Sequence, residues 1–167
     1  MSDLEKYAKY AKRVKLFNGL ELDEVAEIIK QGEILHYHEG ATIFHQGQLG
    51  TNIFVVWKGS VGIYVDNDLI AKCEVGDAFG EMSALNHRPH SGSASALSDC
   101  KCFVLKEDKI NAILQKHVAT RFLLNIIHML SGYLEAANKK NSVLRKQMRR
   151  LERASNNQEA LQEASNS

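Results

Sequence analysis

Apolar residues change their period twice along the chain. Leu4, Tyr7, Ala8, Ala11, Val14 and Lys15 recur at helical spacing with one apolar face. "NGL" at 18–20 reads as a turn, and Val25, Ala26, Ile28 and Ile29 predict a second short helix after Asp23. From Glu33 to Leu105 the pattern becomes short runs rich in β-branched and aromatic residues: "EILHYH", "ATIFH", "NIFVVW", "SVGIYV", "LIAKCEV" and "KCFVL". Gly40, Gly47, Gly50, Gly59, Gly76 and the "DND" at 66–68 punctuate them, and the only proline, Pro89, falls outside them. Many short strands at this spacing predict a small antiparallel β-barrel or jelly roll, not a parallel sheet.

The helical period returns in "KEDKINAILQ", which can start at Glu107 or Asp108 with its acids at the favourable end. A longer helix is expected from about Ala119. Its apolar positions alternate in steps of four and three: Leu123, Ile127, Leu130, Leu134, Ala137, Asn141, Leu144, Met148 and Leu151. That is the seam of a coiled coil, and Asn141 at an a position fixes register and favours a parallel dimer. The first two turns could instead pack on their own domain. "SNNQEALQEASNS" after Ala154 lacks periodicity and reads as a frayed tail.

The fold class is therefore mainly β with flanking helices. The expected organisation is a helical lead-in at 1–32, a barrel at 33–118, a dimerising helix at 119–153 and a flexible tail at 154–167. Composition narrows this little: 44% hydrophobic and 25% charged residues, with a net charge of +1, suit a globular protein with no overall polyelectrolyte character. No apolar run approaches the roughly 20 residues of a membrane span, and "MSDLEKYAKYAKR" has no export signature. Cys73, Cys100 and Cys102 are odd in number and lack a CxxC spacing, which fits a reducing cytoplasm. Cys100 and Cys102 fall on one face of a strand and read as small core residues.

Chemistry concentrates in residues 76–95. "VGDAFGEM" sets Gly76 and Gly80 around a turn after a strand, where glycine lets backbone N–H groups approach an anion. Glu81 follows, a carboxylate able to accept hydrogen bonds from sugar hydroxyls. "MSAL" makes one short helical turn, and "SGSAS" supplies small side chains with the hydroxyls of Ser91 and Ser93. Such a set suits a phosphorylated ribose.

This stretch resembles the phosphate-binding cassette of the cyclic-nucleotide-binding domain, the module of catabolite activator proteins, kinase regulatory subunits and nucleotide-gated channels. "EGATIFHQGQLGTNIFVVWKGSVGIYV" resembles the family's first β-half, "LFNGLELDEVAEII" its lead-in, and "CKCFVLKEDKINAIL" its last strand and following helix. The helix from Ala119 is similar to the dimerisation helix of the bacterial regulators. The resemblance implies that Gly80, Glu81 and Met82 meet ribose and phosphate, that Ser83 stands where a small residue is usual, and that Ser91 serves the phosphate. It implies cAMP or cGMP as ligand, with the base capped from the long helix near Glu135, Ala136 and Asn138.

One departure bears on affinity. The family's phosphate-clamping arginine should immediately precede Ser91, and this chain has His90 there. A charge-assisted contact of about 1.5–3 kcal/mol is at stake, equivalent to roughly 10- to 150-fold in binding. A histidine with an ordinary pKa near 6.5 is mostly neutral at pH 7, although a bound phosphate favours its charged form. Arg88, two residues upstream, is a substitute, with His87 beside it.

Other signals are thinner. His36 and His38 share a strand face with His45 on the next strand, but no further ligand has metal-site spacing, so no metal is expected. Lys139 to Arg153 holds seven Lys or Arg residues against Glu152, either a solvated coiled-coil face or a surface for nucleic acid. Only 14 residues follow Arg153, too few for a helix-turn-helix domain, so autonomous sequence-specific DNA binding is not expected. No nucleophile elbow, HExxH or Walker loop argues for an enzyme. The expectation is a cytoplasmic, non-enzymatic cyclic-nucleotide sensor, dimeric through its helix and acting on a regulated protein partner. The alternative is a ligand-free scaffold that works through the basic coiled coil.

Overall fold

The computed structural model describes the backbone from residue 9 to 165 and side chains from 9 to 153. Leu4, Tyr7 and Ala8 of the first expected helix lie outside the described residues. Residues 9–11 are helical, and a 3₁₀ turn, Lys15–Phe17, follows with Leu16 and Phe17 buried. Helix α1, Leu22–Gln31, is opened by a capping box in which Glu21 and Glu24 satisfy each other's backbone N–H groups, and it buries Val25 and Ile28.

Eight strands follow: β1 (Glu33–Tyr37), β2 (Thr42–Phe44), β3 (Asn52–Lys58), β4 (Val61–Val65), β5 (Asp68–Cys73), β6 (Ala78–Phe79), β7 (Ser93–Ala96) and β8 (Cys100–Lys106). Helix α2, Glu81–Asn86, lies between β6 and β7. The strands form two antiparallel four-stranded sheets in the orders β1-β8-β3-β6 and β2-β7-β4-β5, the arrangement of a jelly roll. Each sheet sends one set of alternating residues into a shared core of Phe44, Phe54, Val56, Val61, Cys73, Phe79, Ala94, Ala96, Cys100, Cys102 and Val104. All three cysteines are free and buried. Burial pushes the Cys73 thiol up to about 12, so it is an unreactive core residue at neutral pH.

β3 is buried without interruption from Ile53 to Val56, because its outer face is covered as well. Phe17 meets Phe103 edge-on there, with ring centroids 6.5 Å apart. Gly76 permits a contact no other residue would allow: its φ is +98°, and an added Cβ would stand 1.8 Å from the Arg13 carbonyl oxygen. Its N–H donates to the Val56 carbonyl, so this glycine ties the lead-in to the sheet and does not present its amide to an anion.

Beyond β8, α3 (Glu107–Leu114) and α4 (Ala119–Ser165) complete the chain. The described chain divides into two compact units, Met1–Ile127 and His128–Ser167. Within the first, α4 buries Phe122, Asn125 and Ile126, and the Asn125 amide donates to the carbonyls of Leu16 and Asn18, both at 2.9 Å. The helix runs past Ala154 to Ser165, where the polar composition predicts a frayed tail. Ala, Gln, Glu and Leu in that stretch are strong helix formers, so propensity carries the helix on after the apolar seam ends. Two strands escape the sequence pattern, β6 because it is two residues long and β7 because "SASA" carries no large apolar residue.

Candidate functional site

Gly80 begins the site. It adopts φ +81° as the N-cap of α2, and an added Cβ would lie 2.9 Å from the Asn52 carbonyl oxygen. A left-handed glycine turns the chain abruptly from β6 into α2. Glu81 is thereby carried inward to 4% exposure, its backbone N–H turned onto its own carboxylate. Burial holds this carboxyl above the usual range, the local hydrogen bond opposing that rise. Among the described residues, no cation pairs with it.

Ser83 is buried two residues on, while Met82 between them is exposed. Ser83 is joined to His90 through Gly50. A Cβ at Gly50 would stand 2.4 Å from the Ser83 Cβ, 2.6 Å from His90 Cε1 and 2.8 Å from His90 Nε2. His90 is 7% exposed and lies flat on Phe44, ring centroids 3.6 Å apart and planes 7° from parallel. Its backbone is strapped on both sides: its N–H donates to the Gln48 carbonyl, and its own carbonyl accepts from the Gly47 N–H, both at 2.8 Å. Leu49 and Pro89 form a bridge in the same place. Burial holds the His90 imidazole below its ordinary value and so favours the neutral ring.

The remaining candidates spread outward. Ser91 is exposed at the start of the bend into β7, and Ser93 lies on β7, its hydroxyl accepting from the Gln46 N–H at 2.9 Å. Arg88 has an exposed side chain, and its backbone N–H donates to the Ser83 carbonyl at 3.3 Å. His87, left-handed at φ 51°, ends α2 and faces Glu107, Nδ1 to Oε1 3.3 Å. The structure thus buries Glu81, Ser83 and His90 and packs Ser83 and His90 together about Gly50, with Gly80 half-buried at the head of α2. Met82, Arg88 and Ser91 are exposed around them.

Sequence reasoning missed the opposite wall. Gly47, Gln48 and Gly50 from the β2–β3 loop, with Phe44, hold the His90 segment in place. "HQGQLG" shows turn glycines, but nothing in its spacing tells which segment the turn will touch. The strand histidines stand apart from this site: His38 Nδ1 is 3.4 Å from Asp99 Oδ1, and His36 pairs in register with Lys101.

The architecture is similar to that of several solved proteins. The Thermus thermophilus catabolite activator protein matches with a TM-score of 0.70 and 27% identity over 78% of this chain and 62% of that one, so the chain spans less than two thirds of its length. A cyclic nucleotide-binding domain from Methylobacillus flagellatus matches with a TM-score of 0.74 at 20% identity, over 82% of this chain and 81% of that one. The regulatory domain of Toxoplasma gondii PKA, solved with cAMP, matches with a TM-score of 0.62 at 21% identity, over 75% of this chain and 49% of that one. The model of the cyclic nucleotide-binding domain matches residues 34–117, from β1 to just beyond α3, a span that includes residues 76–95. On that match across half its length, together with the jelly-roll order of its sheets, the chain belongs to the cyclic nucleotide-binding domain family.

Proposed function

We propose that this chain is a non-enzymatic sensor that takes cAMP or cGMP in its cassette and relays the event through α4 as a dimer. One observation carries the ligand reading: Glu81 is a buried carboxylate that no described cation neutralises. Burying such a group is costly unless hydrogen-bond donors meet it. A ribose hydroxyl is such a donor, and its arrival offsets the cost. Ser91 and the backbone around Gly80 and Met82 then serve the phosphate, with the exposed Arg88 as its cation.

His90 enters this scheme as a neutral group. Stacked on Phe44 and seated against Gly50, it shapes the wall and supplies no fixed positive charge at neutral pH. The affinity is accordingly lower than an arginine clamp would give.

The dimer reading rests on the seam of α4. Leu134, Leu144, Met148 and Leu151 are all exposed, Leu151 by 71%. In the first turns the buried residues are Phe122, Asn125 and Ile126, a different stripe from the exposed Leu123 and Ile127. Among the described seam positions only Leu130 is half-buried, so most of the seam is left uncovered by the buried face of α4. Nucleotide binding next to Glu81 would shift α3 and the start of α4, and a regulated protein partner would read the altered coil.

Calorimetric titration with cAMP, cGMP and 2′-deoxy-cAMP tests the ligand reading. Saturable heat is expected from cAMP or cGMP, weakened roughly 10- to 150-fold by removing the hydroxyl or by Glu81→Ala, the worth of a charge-assisted hydrogen bond. No heat from either nucleotide, and no rise in melting temperature at millimolar concentration, would refute it. That result favours a ligand-free scaffold, a reading supported by the buried, neutral His90.

A further inference from the structure

On the outer face of the β1-β8-β3-β6 sheet, away from the cassette, β3 carries a bulge at Trp57. Val56 pairs with Cys102 and Lys58 with Lys101, so two steps along β3 answer one along β8. A regular strand sends neighbouring side chains to opposite faces. Here the bulge re-aims them, and Trp57 and Lys58 line the same cavity. Lys58 and Lys101 are directly opposed, a like-charge pairing that destabilises a sheet.

Lys9 and Arg13 approach the same cavity from the N-terminal segment. Among the described residues, a volume of about 510 Å³ is lined by four cations and no acid. Among the described residues, none of the four forms an ion pair. Asp99 feels Lys58, but its carboxylate accepts from the Glu39 N–H at 3.0 Å and faces His38. The remaining walls are aromatic and aliphatic. Tyr10 lies against Trp57 with centroids 3.9 Å apart, Trp57 against Phe103 at 5.5 Å, and Ile29 and Ile34 close the side.

Convergent cations without a counter-charge select an anion. Aromatic walls beside them select a flat body that also makes cation–π contact. The volume lies within the range of small-ligand sites, about 300–1,000 Å³. No cassette residue lines this cavity. We propose that it is a second ligand site, taking a planar aromatic anion of mononucleotide size independently of the cassette.

Trp57 is the only tryptophan, so its indole N–H gives a single resonance in ¹⁵N-labelled protein. Titration with AMP, adenosine and inorganic phosphate should move that resonance saturably with AMP, and at least tenfold more weakly with either half alone. The Lys58→Ala/Lys101→Ala double variant, checked for an unchanged melt, should weaken AMP binding tenfold or more, while Glu81→Ala leaves it unaltered. The proposal is overturned by the absence of a saturable shift with AMP. Equal binding of phosphate or adenosine, an unaffected lysine variant, or a loss that follows Glu81 in place of the lysines would each overturn it too. Because Glu81→Ala separates the two sites, its outcome does not depend on whether the cassette binds a cyclic nucleotide.

Discussion

Protonating His90 would put a charge between the Phe44 ring and the backbone of Gly50, where little water reaches it. Its pKa is depressed in the folded chain, so the fold binds fewer protons there than the unfolded chain. The stability this supports is fully present above the ordinary histidine value of about 6.5 and is lost as pH falls through the depressed value. Urea melts of the native chain and His90→Gln should therefore differ more at about pH 7.5 than near pH 5. A pH-independent difference would mean that only packing is lost. Gly50→Ala probes the same wall sterically: the new Cβ meets Ser83 and His90 at 2.4 and 2.6 Å. A cost of about 1–3 kcal/mol is expected, as for other overpacked sites, and is read as a lower melting temperature.

At the scale of elements, the attachment of α4 adds polar bonds to an apolar stripe. Asn125, on the buried stripe with Phe122 and Ile126, holds the carbonyls that end the 3₁₀ turn. Arg121 donates to the Gly19 carbonyl beside them, and Lys116 pairs with Glu27 of α1. Asn125→Ala leaves the Leu16 and Asn18 carbonyls without their amide donor. The buried Leu16 acceptor costs about 1–3 kcal/mol when left unmet, whereas the Asn18 carbonyl, on an exposed residue, can turn to water. The variant should melt earlier, and hydrogen exchange should rise first in residues 15–20; unchanged exchange there would show that the two bonds do not anchor the helix.

At the scale of the molecule, the seam of α4 makes a prediction about salt. In a parallel pair, Asn141 occupies an a position, so Lys140 is at g and Arg145 at the e position that g faces on the partner helix. These are like charges, and screening them should help association. Sedimentation equilibrium is expected to show a dimer that tightens between low and moderate salt, separates in Leu134→Lys, and associates more strongly but less uniquely in Asn141→Leu. A chain that stays monomeric at millimolar concentration would remove the coil from the signalling scheme.

Periodicity was enough to read six of the eight described strands, α1, α3 and the long α4 with its apolar seam, because alternation and heptad spacing are consequences of which face a residue must present. The turn from β6 into α2 was equally legible: Gly80 and Glu81 stand adjacent in sequence, and one left-handed glycine sets the direction of the next side chain. β7 was not legible, since its small residues are chosen by what lies across the sheet. The burial and stacking of His90 depend on Phe44 and Gly50, some forty residues earlier, which only the long-range pairing of β2 with β7 and the Leu49–Pro89 bridge bring into contact. The cationic cavity needed more still, a bulge that slips one strand by a residue against its neighbour. Local geometry was thus written in the order of the residues, while burial and charge environment were decided by which distant segments the fold set face to face.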